Sequence, residues 1–180
     1  LFFTEVQKYE EELSAPVRSE VAIVYDYDSL AVFRIQKQSF LLDCEQEMKK
    51  FHKAFFDVNV PVDVIPAGND LDGYKVVIVP QMIIAKPQFQ AQLKAFAENG
   101  GTVILTFRDF VKDADNNLMF GKVLPVDFDD FCGLYVAETE SLQEGQEFAL
   151  AGEGEFTDIT GEGGIFRDMI VPTDAQILFR

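Results

Sequence analysis

The stretch Val21-Ala22-Ile23-Val24-Tyr25, followed at once by Asp26-Tyr27-Asp28-Ser29, decides the fold. A strand with one wet face alternates apolar and polar residues; an unbroken apolar run rich in β-branched side chains suits a strand buried on both faces. Such a strand needs layers above and below it. Outward from it, Asp43 opens a helix whose Met48, Phe51, Phe55 and Val58 share one face at 3.6 residues per turn. Residues 62–65 and 75–79 read as two further strands, the second bounded by Asp72-Gly73 and Pro80. Pro87 suits a first helical turn, Phe89, Leu93 and Phe96 form a buried stripe, and Asn99-Gly100-Gly101 ends that helix before a strand over 102–107. The order strand, helix, strand, strand, helix, strand predicts an α/β fold of three layers, a mostly parallel sheet with helices on both faces.

The flanks are less regular. Residues 4–14 read as a short helix with Thr4 as N-cap, ended before Pro16. Beyond Arg108 the pattern loosens: residues 135–139, 147–150 and 156–159 suggest short strands or extended loops, and 175–179 a final strand, an irregular β extension of the C-terminal third. Residues 1–17 are therefore expected to be a connector and 18–180 one domain.

Composition narrows the function. The 180 residues are enough for one core without a disulfide or metal. Fifteen basic residues face 31 acidic ones, for a net charge of −16, which repels a phosphate backbone and argues against nucleic acid as a partner. Between Asp127 and Asp174 there are 13 acidic side chains and only Arg167 to oppose them, a solvated surface more than a calcium site, since no D-x-D-x-D-G loop occurs there. No apolar run approaches the roughly 18 residues that span a bilayer, and no basic-then-apolar leader precedes the first strand. Cys44 and Cys132 follow no metal spacing and make no disulfide framework, which favours a reducing, cytoplasmic compartment.

In an open α/β sheet, ligands favour the crevice beyond the carboxyl ends of the strands. There stand Tyr25, Asp26, Tyr27, Asp28 and Ser29, then Gln81, then Thr106 and Arg108. Asp26 and Asp28 could pair around a metal or phosphoryl group; the plainer reading is that they cap the following turn. A nucleophile would need Ser or Cys on a sharp glycine-flanked turn with a histidine base. Thr106-Phe107-Arg108 has no flanking glycine, and the lone His52 lies among lysines on the Asp43 helix. Gly161-Glu162-Gly163-Gly164 lacks a phosphate-loop lysine and reads as a turn. No cofactor is implied. Of the 18 phenylalanines, Phe2, Phe3, Phe33, Phe40 and Phe128 fall in apparent connectors, where another chain or a long loop must cover them.

Four segments in register resemble a known family. They are 21–29 with Phe33 and Gln36; Asn59-Val60-Pro61-Val62-Asp63-Val64; Tyr74-Lys75-Val76-Val77-Ile78-Val79-Pro80; and Gly100-Gly101-Thr102-Val103-Ile104-Leu105-Thr106 with Arg108, Val111-Lys112-Asp113 and Asn116. The chain resembles, over roughly 18–142, the trimerisation domain of glycoside hydrolase family forty-two β-galactosidases. The resemblance implies a flavodoxin-like, class I amidotransferase-like fold that follows a catalytic (β/α)₈ barrel and helps build a homotrimer, with the catalytic glutamates in the barrel. Thr106 falls where related amidotransferases keep a cysteine. Two departures stand out: Ala31-Val32 precede Phe33 where the family pattern has a tryptophan, and residues 143–173 do not follow the pattern.

The sequence is thus expected to encode a non-catalytic assembly domain of a β-galactosidase that hydrolyses terminal β-galactosides, with its own barrel and two further copies as partners and neither nucleic acid nor membrane. The expected interface is residues 25–38 and 108–117, read as loops at one end of the sheet, with Phe33, Gln36, Gln81 and Lys112 beside the strand-end residues above. The alternatives are a sugar-binding module using Asp26, Asp28, Gln81 and Arg108, and a degenerate amidotransferase-like enzyme.

Overall fold

The computed structural model describes residues 2–15 and 17–180; Pro16, expected to end the first helix, lies outside them. Four strands, β1 (Val21–Tyr25), β2 (Val62–Pro66), β3 (Val76–Val79) and β4 (Thr102–Leu105), form one parallel sheet in the order β2-β1-β3-β4. Both faces of β1 and β3 are buried, and each face has its own core. On one, Ala22, Val24, Val77 and Val79 meet Phe89 and Leu93 of the helix Pro87–Glu98, with Phe110 and Phe128 closing the end. On the other, Val21, Ile23 and Ile78 meet Met48, Phe51 and Phe55 of the helix Cys44–Phe56, capped by the Asp43 carboxylate on the Glu45 and Gln46 amides. Val58, expected on that buried stripe, lies past the helix end and is exposed. The β2–β3 crossover has no helix; Leu71 buries itself over the sheet in place of one.

In chain order the α-helices are α1 (Phe2–Lys8), α2 (Glu10–Leu13), α3 (Tyr27–Ile35), α4 (Cys44–Phe56), α5 (Pro87–Glu98) and α6 (Asp129–Cys132). Thr4 lies inside α1 instead of capping it, and the first helical stretch is broken at Tyr9. The largest correction is α3. Residues 27–35, read as part of a loop, are helical because Asp26 turns its carboxylate onto the Ser29 amide (3.0 Å) and hydroxyl (2.7 Å) and so satisfies the first turn. Helix formation buries Phe33, which packs with Val32, Leu42, Ile83 and Phe166, and so needs no partner chain. Phe128 is likewise internal, whereas Phe3 and Phe40 are 82% and 94% exposed.

The C-terminal third forms two antiparallel ribbons, β5 (Leu134–Ser141) with β8 (Phe166–Pro172) and β6 (Phe148–Ala151) with β7 (Thr160–Gly163). Three expectations change here. Residues 156–159 are not a strand: a 3₁₀ turn, Gly154–Phe156, precedes β7. Gly161-Glu162-Gly163 is a strand and not a turn: it pairs with β6, and the Phe148 ring lies over Gly163, within 2.2 Å of where a Cβ would stand. Residues 175–179 make only a single bridge, Gly152 to Phe179. Among the described residues no helix is long and apolar enough to cross a membrane.

One side chain locks the carboxyl ends of β3 and β4 together. Asp109, 5% exposed, accepts the Thr106 amide on Oδ2 (2.6 Å) and the Met82 amide on Oδ1, and Thr106 Oγ1 in turn accepts the Gln81 amide (2.8 Å). Asp109→Ala would leave two backbone donors without an acceptor, at a cost of roughly 2–5 kcal/mol, read as a lower urea midpoint. Burial pushes the Asp109 carboxyl well above the usual range, against the pull of the Thr106 and Met82 hydrogen bonds. A folded pKa above the unfolded one gives stability that is complete below about pH 4 and lost as pH rises through the folded value. The stability of the wild type relative to Asp109→Asn should therefore decline upward from about pH 4; a rising difference would contradict the assignment.

Candidate assembly site at the strand ends

The sheet order places the topological switch between β1 and β3, the position where open α/β sheets hold ligands. Here the chain fills that crevice with its own side chains. Lys86, just before α5, reaches back and donates to Asp26 Oδ1 (2.5 Å) and Asp28 Oδ2 (2.7 Å). Burial alone would depress the Lys86 pKa, but the Asp26 and Asp28 carboxylates outweigh it and hold the ammonium above its ordinary value. The ammonium therefore stands where a cation bridging this pair would sit. The Ser29 hydroxyl, after donating to Asp26, accepts the Ile84 amide (3.1 Å) and ties α3 to the segment after β3. Among the described residues no group of three or more His, Cys, Asp or Glu is arranged to hold a metal.

The other strand-end residues fall into four further groups. Gln81 and Thr106 join Asp109 in the strand-end lock; Gln81 sits at φ +49°, its side chain is buried, and its Oε1 has no partner among the described residues. The left-handed backbone falls at Gln81, Arg108 and Phe110 and not at Thr106, whose hydroxyl is spent on the lock. Lys112, only 3% exposed, donates to Gln36 Oε1 (2.6 Å) and Asn116 Oδ1 (2.7 Å), so residues 76 positions apart meet in one cluster. Arg108 lines a cleft of about 680 Å³ between the end of β4 and the inner faces of β5, β6 and β8. Tyr25 and Tyr27, ring centroids 4.9 Å apart and edge to face, line a separate groove of about 760 Å³ between α3, α4 and β2, with Leu30, Ile35 and Val64.

Lys86 and Asp109 did not stand out in the sequence. Lys86 lies 60 and 58 positions from its two carboxylates, and Asp109 is one acid among 31. The thiols of Cys44 and Cys132 are both pushed up to about 11, chiefly by burial, so neither is an activated nucleophile. His52 is exposed on α4 and stacks beside Phe56.

The family model described as the β-galactosidase trimerisation domain matches residues 19–180. A β-galactosidase of Clostridium perfringens is 28% identical over 182 residues, covering 96% of this chain and 26% of that protein. One from Clostridium cellulovorans is 35% identical over 139 residues, covering 77% and 21% respectively. The crystal structure of a β-galactosidase from Bacillus circulans superposes with a TM-score of 0.89 at 26% identity, over 98% of this chain and 26% of that one. A β-galactosidase from the Antarctic haloarchaeon Halorubrum lacusprofundi gives 0.82 at 27% identity, over 94% and 25%. The chain thus spans about a quarter of the length of these relatives. With the match running through the whole sheet, the strand-end loops and both ribbons, the chain belongs to the β-galactosidase trimerisation domain family.

Proposed function

We propose that this chain is the non-catalytic assembly domain of a β-galactosidase, closing a ring of three copies and presenting a barrel, carried elsewhere in the polypeptide, to terminal β-galactosides. One observation supports it above the others: the apolar surface left open around the α3–α4 groove. Tyr27, Ile35 and Val64 are 72%, 81% and 50% exposed and line the same groove, and exposed apolar surface of this kind marks association sites. The expected interface segments, residues 25–38 and 108–117, contribute to that groove and to the Arg108 cleft respectively. The sugar-binding alternative is disfavoured by Lys86, which already satisfies the two carboxylates a ligand would need.

Sedimentation of the chain over a concentration series tests the reading: the expected species is three times 20.3 kDa, and Ile35→Lys should shift it toward monomer. A wild type that stays monomeric up to about 100 µM, weaker than standard interfaces achieve, would remove it. The filled crevice has its own test. Lys86→Met strands the buried Asp26 carboxylate, at a cost of roughly 1–3 kcal/mol. Adding Asp26→Asn should recover part of that loss, so a cycle of urea melts should show non-additivity; strict additivity would mean the ion pair contributes nothing.

A further inference from the structure

We propose that Arg108, backed by Lys112, is the receptor for a carboxylate side chain presented by a neighbouring copy of this chain. The inference rests on the assembly reading above and names the chemistry of one contact in it.

Arg108 is a half-buried cation. It forms no ion pair among the described residues, and its Nε is buried with no acceptor. Asp168 lines the same cleft and its charge acts on Arg108 without pairing with it, while its Oδ1 accepts the Thr139 hydroxyl at 2.6 Å. Lys112 repeats the pattern close by: its ammonium is buried and bonded to two amide oxygens, Gln36 and Asn116, with no carboxylate. Burial pulls the Arg108 pKa down, with only the Asp168 charge to oppose it; Lys112 is lowered by burial and then by Arg108 itself. Two desolvated cations side by side are unfavourable in the isolated chain.

The backbone holds them there at further cost. Arg108 and Phe110 both take positive φ, +64° and +56°, conformations that cost non-glycine residues roughly 1–3 kcal/mol each and persist only where the surroundings fix them. Those surroundings are the Asp109 lock between them, the buried Phe110 ring and the Phe110 amide on the Met82 carbonyl. Arg108 is thereby pre-aimed along the wall of the 680 Å³ cleft. A guanidinium held rigid in a partly desolvated cleft is suited to a bidentate carboxylate.

Symmetry and charge argue for a second copy as the source. A three-fold ring cannot use a self-complementary contact; each interface joins two unlike patches, so a cationic patch on one copy faces a different surface of the next. Each copy as a whole is acidic, with 31 carboxylates against 15 basic groups, so a carboxylate is the charged group a neighbouring copy has most of to offer. In contrast, Arg34, Lys50, Lys53 and Lys75 already hold acids of their own chain.

The test is sedimentation equilibrium of the 180-residue chain as wild type, Arg108→Gln, Arg108→Lys and the control Lys75→Gln, an exposed cation outside both clefts, with thermal melts of dilute, unassociated samples. Arg108→Gln should weaken association at least about tenfold, as loss of one partner of a buried interfacial charge pair does. Arg108→Lys should weaken it less, and Lys75→Gln should leave it unchanged. The dilute Arg108→Gln chain should melt no lower than wild type, because an uncompensated cation has been removed. Unchanged association of Arg108→Gln overturns the proposal and leaves the assembly reading standing. A melting temperature that falls along with association overturns it in favour of a structural role. Wild-type binding of free acetate that Arg108→Gln abolishes, with association intact, assigns the site to a free anion instead. A wild type that never associates removes both readings.

Discussion

The carboxylate of Asp109 is the constraint on which the strand-end architecture depends. Parallel strands leave their last amides facing the loops that follow, and a loop that dives back into the core must find acceptors for them. Asp109 supplies two oxygens to two different strands' extensions, the Thr106 amide after β4 and the Met82 amide after β3. A single buried acid therefore fixes how the two connections lie relative to each other. Because it fixes them, Phe110 can drop onto Phe128, ring centroids 5.2 Å apart, and cover the end of the main core. On either side of the same acid, Gln81 and Arg108 are held at positive φ. The strain is local, and the acid that makes it possible is itself displaced from its ordinary titration range by burial.

The interior elements were legible in the sequence and the switch point only half so. β1, α4 and α5 declare themselves because their burial pattern and their local periodicity agree: two-faced burial for Val21–Tyr25, one face for Met48, Phe51 and Phe55, one for Phe89 and Leu93. α3 does not declare itself. Tyr27, Val32, Phe33 and Ile35 are indifferent helix formers, and the helix exists because Asp26 caps it and Phe33 has a core to enter. β8 was hidden for a related reason. Arg167 and Asp168 interrupt its apolar run, yet in the ribbon they are answered across the strands by Glu140 and Thr139. A cross-strand partner turns a charged residue from a loop signal into a strand residue, and no local window contains that partner.

The candidate site shows the same division. That Asp26 caps the following turn was readable, since an aspartate bonding the backbone just ahead of it is local chemistry. The neutralisation of the Asp26 and Asp28 pair by Lys86 was not, and neither was the meeting of Gln36 with Lys112, because sequence separation carries no distance information. The segment resemblance marked Arg108, Lys112 and Asn116 together without saying what joins them. What joins them is that Arg108 and Lys112 both lack an ion pair among the described residues, in a chain that carries 31 acidic residues against 15 basic ones.

That imbalance bears on how such a chain can assemble at all. Three copies at −16 each repel one another, and burying acidic surface against acidic surface would add desolvation to repulsion. Association is tolerable only where the contact is apolar, as the proposed one at the α3–α4 groove would be, or where one side supplies cations that its own acids do not pair with. Exposed, paired cations such as Arg34 with Glu45 cannot serve, since taking their acid away returns what the new contact gives. Screening follows the same geography: salt weakens the general repulsion between copies across distances beyond the Debye length while leaving a desolvated guanidinium–carboxylate contact largely intact. A ring built on apolar grooves and a few sequestered cations should therefore tighten, not loosen, as ionic strength rises from low values, and that rise separates it from an assembly held by exposed ion pairs, which salt would dissolve.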